Sequence, residues 1–376
     1  MRVLILGWEF PPYITGGLGV YCYELTKQLS AKGIDVIYVL PKRMKKVRSD
    51  FVKVVEVGPG FEFGSYNEKE AMVFKGSIED YNNLLVKRCL HESFDVIHAQ
   101  DWMVFDAAVR LKKITGKPLI CHAHAIEYMR TPHDPWSYIV EKEKTGYYNA
   151  DLIIANSYYM KRNLVEKLGV DPRKIVVIYN AVDQERFEQQ FRREHGLGNS
   201  KIVLYLGRLF VQKGPDYFLN AAKKVVERFR NVKFLIAGTG DMLPQLIKQA
   251  IDLGISDKVM FLGFVPEEEK PKYYAISDVY VLPSVSEPFG ITVLEAVAAG
   301  TPVVISKESG ASEVVRSAFK VDFWDVNKMA ELILGLLMYP PMAREMSRNG
   351  KKEIKHLTWD KIAEETIKAY KMAVYG

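Results

Sequence analysis

Short apolar runs rich in valine and isoleucine alternate along the chain with amphipathic stretches of helix length. A strand that is hydrophobic on both faces needs cover on both sides, so this alternation predicts parallel strands joined by crossover helices, an α/β fold. In the first half the runs predict strands at Val3 to Leu6, Asp35 to Leu40, Asp95 to His98, Pro118 to His122, Leu152 to Ala155 and Ile175 to Ile178. The rhythm restarts at Ile202 to Leu206, Lys233 to Ala237, Lys258 to Leu262, Val279 to Leu282 and Pro302 to Ile305. Between the halves, Tyr179-Asn180-Ala181-Val182-Asp183 leads into the polar run Gln184 to Ser200, which interrupts the rhythm and marks a domain boundary. Each half has strands enough for its own doubly wound sheet, giving domains at 1–180 and 181–357. Such sheets bind ligands at the carboxyl ends of their strands, so two facing sheets predict one cleft. From Thr358 to Tyr375, apolar Ile362, Ile367, Tyr370 and Val374 predict a terminal helix able to pack across the boundary.

The length, 376 residues, also favours two cores over one. With 48% hydrophobic and 26% charged residues, disordered and membrane-spanning classes are excluded. The net charge of +6 is too mild to demand a nucleic-acid partner and leaves anionic small molecules open. Cys22, Cys89 and Cys121 lack the number and spacing of a disulfide framework or zinc site. A reducing, cytoplasmic setting fits them. The run Met1 to Gly7 is too short for a signal peptide's apolar core, and nowhere do ~20 apolar residues follow one another as a bilayer span requires.

The strongest chemical signal is Glu287-Pro-Phe-Gly-Ile-Thr-Val-Leu-Glu295, directly after a predicted strand. Pro288 and Gly290 shape a turn into a helix whose free N–H groups near Gly290, Ile291 and Thr292 suit a phosphate. Glu295, too far along to cap the helix, has the reach to accept hydrogen bonds from ribose hydroxyls, and Glu287 precedes the turn. Solvated surface glutamates are the plain alternative for both. A second strand-to-helix loop, Leu206-Gly207-Arg208-Leu209-Phe210-Val211-Gln212-Lys213-Gly214, carries two cations that can converge on a diphosphate and neutralise a leaving phosphate.

In the first half, Thr15-Gly16-Gly17-Leu18-Gly19 opens a helix after the first strand; a phosphate contact and a simple turn explain it equally well. It is not the G-x-G-x-x-G dinucleotide fingerprint. Strand alternation sets His122 and His124 on one face, but no third ligand has metal spacing, and a hydrogen bond from His124 to a ligand is the favoured reading. His98 suits a core position as well as a site. Asp101 and Trp102 end their strand where polyol recognition is possible, with packing the alternative for Trp102. Lys42, Arg43, Lys45, Lys46 and Arg48 form a basic run that reads first as a solvated loop and second as a contact for phosphorylated acceptors or an anionic membrane.

Taken in order, the Gly-Gly loop, the strand-end histidine, Asn180-Ala-Val-Asp183, Gly207-Arg-Leu with Lys213-Gly, and Glu287-x7-Glu295 resemble the retaining glycosyltransferases of family 4. His98-Ala-Gln-Asp-Trp102 is similar to glycogen and starch synthases. The resemblance spans essentially the whole chain. It implies a GT-B fold of two Rossmann-like domains, with the acceptor on the first, the donor on the second, and residues 358–376 returning to complete the first. It further implies that Arg208 and Lys213 clamp a diphosphate, that Glu295 holds the ribose, and that Glu287 meets the sugar at its anomeric face. Phe289, Gly290, Ile291 and Thr292 would line sugar and phosphate, His124 would touch the sugar's primary hydroxyl, Gly16 and Gly17 would meet donor phosphates, and Val265 would lie near the base. The implied reaction moves a hexose, glucose first, from a nucleoside-diphosphate sugar to an α-glucan or other sugar, with no metal or other cofactor. Thr15 stands where synthases usually carry lysine, and Ala181 where glycine is commoner. Transfer of mannose or another hexose to a lipid- or protein-linked acceptor, 2-epimerisation of a nucleotide sugar, and non-catalytic binding are the alternatives.

Overall fold

The computed structural model describes residues 1–14, 16–43, 45–58, 71–188 and 199–376. Thr15 of the glycine loop, Met44 of the basic run and most of the polar boundary run lie outside the described residues. The described chain forms two compact units, Met1–Asn180 with Trp359–Gly376, and Ala181–Thr358.

In the first unit the strands are β1 (Arg2–Leu6), β2 (Asp35–Pro41), β3 (Lys53–Val57), β4 (Val96–Gln100), β5 (Leu119–Ala123), β6 (Leu152–Ala155) and β7 (Ile175–Val177). They form one parallel sheet in the order β3-β2-β1-β4-β5-β6-β7. The central strands are buried along their whole length, as strands covered on both faces must be. The second unit has β8 (Lys201–Leu206), β9 (Val232–Ala237), β10 (Val259–Gly263), β11 (Val279–Leu282), β12 (Val303–Ser306) and β13 (Phe319–Val321), also all parallel, in the order β10-β9-β8-β11-β12-β13. The α/β reading of the sequence is therefore correct, and two strands are added to it. Both are sheet edges: β3 has an exposed Lys53 and a half-buried Glu56, and β13 is three residues long, so neither produces the continuous apolar run that marks the interior strands.

In both sheets the strand order reverses beside the first strand, between β1 and β4 and between β8 and β11. Crossover helices leave opposite faces there and open a crevice at the carboxyl ends, so loops after β8 and β11 converge. The helix Trp359–Tyr375 packs in the first unit against the helix Gly17–Ala31. Lys32 Nζ pairs with Asp360 at 2.7 Å and Glu364 at 3.0 Å, while Trp359 meets Tyr21 edge-on. The three cysteines are buried and unpaired. Among the described residues no helix is long and apolar enough to cross a membrane.

Candidate active site

The carboxyl end of the second sheet carries the densest chemistry. β8 ends at Leu206, and the next residues run through the exposed Arg208 to the single turn Val211–Lys213. β11 ends at Leu282, and its loop brings Glu287 back to that turn: Lys213 Nζ lies 2.5 Å from Glu287 Oε2, which also accepts a 3.3 Å hydrogen bond from Ser284 Oγ. Glu287 is 5% exposed, so the pair is largely desolvated. The backbone fixes it as well: Glu287 N–H donates to the Glu308 carbonyl at 2.8 Å, and Gly310 N–H donates to the Glu287 carbonyl at 3.0 Å. Arg208 has no ion pair among the described residues; its guanidinium rests over the Phe210 ring at 5.5 Å.

Gly290 is the N-cap of the helix Ile291–Ala298, with φ at +100°, a region that costs a residue with a Cβ roughly 1–2 kcal/mol. No side chain caps that helix, leaving its first N–H groups for solvent or an anion. From Val293 to Ala298 every residue is buried, so the helix is a core element whose first two residues are half-buried. The Thr292 hydroxyl accepts from Tyr280 at 2.9 Å, and the Phe289 carbonyl accepts from Ala311 N–H at 2.7 Å and Ser309 Oγ at 3.1 Å. Glu295 sits apart from the Lys213 pair in its partners: it accepts from the Tyr274 hydroxyl at 2.8 Å and has Lys270 Nζ at 3.8 Å. Burial raises its pKa, with Lys270 opposing. Val265 is buried beside the exposed Phe264.

In the first unit, Gly16 is extended and caps the helix Gly17–Ala31 with no side-chain partner, and a Cβ there would meet nothing within 4 Å. His124 follows β5. Its ring stacks on His122 at 4.2 Å with 5° between planes, so the two imidazoles do share a face. Its Nε2 lies 2.7 Å from Gln100 Oε1, and Asn156 Nδ2 donates to its carbonyl at 3.1 Å. Burial lowers the pKa of His124 to about 4 and of His98 to about 3, and depresses His122 too; these rings are neutral at ordinary pH.

Two family descriptions match, Glycosyltransferase Family 4 over residues 15–186 and Glycosyl transferases group 1 over residues 187–353. An uncharacterised glycosyltransferase of Methanocaldococcus jannaschii is 33% identical over 393 aligned residues, covering 100% of this chain and 99% of the relative. The chain belongs to the group 1, family 4 glycosyltransferases. It is also 28% identical to a glycogen synthase of Mycobacterium tuberculosis, over 100% of this chain and 96% of that one. Among solved structures, sucrose-phosphate synthase from Thermosynechococcus elongatus superposes with a TM-score of 0.82 at 20% identity, covering 99% of this chain and 98% of that one. HepE of Anabaena, in complex with UDP and glucose, superposes with a TM-score of 0.77 at 19% identity, covering 99% and 100%. The fold is GT-B.

Within this glycosyltransferase some sequence readings need correction. Trp102 is not offered to a polyol: it is 2% exposed and packs on Phe74 and Tyr138. Asp101 is equally committed, since its Oδ1 accepts from Trp102 N–H at 2.8 Å and its Oδ1 and Oδ2 accept from Arg130 Nη2 at 3.0 and 2.9 Å. Of the five cations beyond β2, four are exposed, as a solvated loop expects, and one departs from it. Arg43 folds inward over the Trp8 and Tyr13 rings, where burial lowers its pKa, leaving Lys42, Lys45, Lys46 and Arg48 exposed.

Other features escaped the sequence. Gly238-Thr239-Gly240, after β9, lies against the Arg208 loop: Leu209 N–H donates to the Thr239 carbonyl at 2.8 Å, and a Cβ on Gly238 would fall 1.9 Å from the Gly207 carbonyl oxygen. Its G-x-G spacing was visible, but without charge it carried no chemical signal. Arg130 also joins Glu143 at 3.0 Å, with Glu127 N–H donating to the same carboxylate; burial pushes the Glu143 carboxyl up to about 8. Helix periodicity marks Glu143 only as another polar position.

Proposed function

We propose that the chain is a retaining glycosyltransferase that moves glucose from a nucleoside-diphosphate sugar to a hydroxyl of an α-glucan or other sugar. The observation that carries this reading is the Lys213–Glu287 pair, set beside Arg208 at the β8/β11 crevice and close in sequence to an uncapped helix start. Cations and helix N–H groups together match a diphosphate, while a desolvated carboxylate matches the positive charge that develops at a sugar's anomeric carbon. UDP-glucose is the first donor to try, because HepE was solved with UDP and glucose, and the glycogen synthase relative supports a glucan acceptor.

In the proposed step the bond from the anomeric carbon to the donor phosphate oxygen breaks and a bond to the acceptor oxygen forms on the same face. The acceptor's proton passes to the leaving phosphate. Arg208 and Lys213 stabilise that phosphate, so fixed cations replace a divalent metal. His124 contacts the sugar's primary hydroxyl, Glu295 the ribose, and Gly16 and Gly17 the donor phosphates. Phe289 to Thr292 line the sugar and phosphate, and Val265 lies near the base.

Incubation with radiolabelled UDP-glucose and glycogen, with and without EDTA, tests the reading. Release of UDP with label on the glucan in α linkage, undiminished by EDTA, is the expected result. A changed sugar still attached to UDP would make the protein an epimerase. Binding without turnover would make it a carrier, and activity lost in EDTA and restored by Mg²⁺ would overturn the metal-free step.

A further inference from the structure

On β4 and β5, parallel neighbours with Gln100 opposite His122, three polar side chains, His98, Gln100 and His122, are gathered on one buried face, and the half-buried His124 follows directly after β5. They form a continuous hydrogen-bonded set. Tyr370 Oη lies 2.8 Å from His98 Nδ1, His98 Nε2 lies 3.3 Å from His122 Nδ1, and Gln100 Nε2 lies 3.2 Å from His98 Nε2. At the far end Gln100 Oε1 lies 2.7 Å from His124 Nε2.

The protons in this set are constrained. An amide oxygen only accepts, so His124 must carry its proton on Nε2. The other end of the same amide only donates, and it lies 3.2 Å from His98 Nε2 against 3.4 Å from Nδ1, so the nearer Nε2 accepts and His98 Nδ1–H points to the tyrosine oxygen. His122 then donates from Nδ1, and what remains is a bare lone pair on His122 Nε2, the ring atom that is buried without a hydrogen-bond partner. Turning the amide over reverses every link and leaves a buried N–H without an acceptor at that position, which is the costlier defect. A neutral ring with its proton on Nε2 presents Nδ1 as an acceptor, and His124 Nδ1 has no hydrogen-bond partner among the described residues.

We propose that Gln100 is a positioning residue that fixes His124 in the Nε2–H tautomer, so that Nδ1 accepts a hydrogen bond from a hydroxyl of the transferred sugar. The sugar contact rests on the function proposed above; the tautomer does not. His98 and Tyr370 hold the amide from behind and keep it from turning over.

Nitrogen-15 spectra of histidine-labelled full-length protein, with the His124 signals assigned by their loss in His124→Phe, read the tautomer directly at pH 7.5. The wild type is expected to show a protonated Nε2 and a bare Nδ1. Gln100→Leu, which removes the acceptor, is expected to shift His124 towards Nδ1–H and lower kcat/KM for UDP-glucose at least ~10-fold, with UDP affinity unchanged within twofold. Gln100→Glu keeps an accepting oxygen and is expected to keep the Nε2–H, which preserves the test should the leucine variant misfold. An unchanged His124 tautomer in a folded Gln100→Leu protein overturns the positioning role whatever the kinetics. A changed tautomer with wild-type transfer overturns the contact between His124 and the sugar.

Discussion

Lys213 and Glu287 stand 74 residues apart in the chain, on loops after different strands, and meet at 2.5 Å with little solvent access. Neither residue's sequence neighbourhood hints at the other. The pairing fixes both side chains where little solvent reaches them, and under the proposed function each also has a chemical task. Lys213→Ala and Glu287→Ala are expected to lower transfer by at least ~10²-fold, the size typical of losing one preorganised electrostatic group. Each leaves a partner uncompensated and is expected to lose about 3 kcal/mol of stability by chemical denaturation. Wild-type turnover in either variant would remove that residue from the chemistry.

Donor binding is expected to be visible without turnover. A nucleotide sugar at 100 times its dissociation constant should add about 2.7 kcal/mol to the unfolding free energy, read as a rise in Tm. UDP-glucose should raise the melting temperature of the wild type and do so less in Arg208→Ala. Equal shifts in both proteins would place the diphosphate elsewhere.

Gly238→Ala tests the loop the sequence did not flag. The backbone there has φ at +138° and no room for a methyl group, so the Arg208 loop must move. A loss of at least ~2 kcal/mol in stability is expected, together with weaker UDP binding by calorimetry. Unchanged UDP affinity in a destabilised protein would make the loop a packing feature only.

Stability should fall on both sides of neutral pH, for separate reasons. His98, His122 and His124 are neutral when folded and charge readily when unfolded, so the unfolded state takes up more protons and stability is lost as pH falls from about 6.5 towards 4. Glu143 is reversed: it stays protonated up to about 8 when folded, so its contribution is present below about 4.5 and lost as pH rises through 8. Urea midpoints at pH 5, 6.5 and 8.5 measure both arms, and Glu143→Gln should flatten the loss above pH 6.5 and steepen the acid arm, where Glu143 opposes the histidines. An alkaline arm unchanged in that variant would assign it to another group.

Arg130 pairs with Asp101 at 2.9 Å and donates to Glu143 at 3.0 Å while only 19% of its side chain is exposed. Arg130→Met leaves the buried Asp101 without its partner and should therefore cost about 3–5 kcal/mol, and adding Asp101→Asn should recover part of it. Additive losses in the double variant would show that Arg130 and Asp101 are energetically independent.

What could be read in advance follows from how far each signal reaches along the chain. Interior strands announce themselves because burial on both faces demands unbroken apolar runs; β3 and β13, at the edges, do not carry that demand. Arg208, Lys213 and Glu287 are legible as charged residues in strand-to-helix loops, and Glu295 as a carboxylate just inside the helix that follows, where local spacing suffices. That Lys213 lies on Glu287, or that Glu295 is tied to Tyr274 and Lys270, depends on which strands become neighbours, and no short window contains it. Trp102 and Asp101 misled for the same reason: a strand-end aromatic and a carboxylate look the same in sequence whether they face solvent or Phe74 and Arg130.

The helix Trp359–Tyr375 belongs to the first unit although the whole of the second lies before it in the chain. The first unit is therefore discontinuous in synthesis. Its sheet strands emerge early, but Trp359 and Tyr370, which cover Tyr21 and His98, leave the ribosome only after the intervening unit has been made, roughly 10–40 s later at ordinary translation rates. Over that interval the histidine face of β4 and β5 lacks its cover, whereas the second unit, continuous in sequence, has all its contacts available. The order in which the two units are finished thus runs opposite to the order in which they begin.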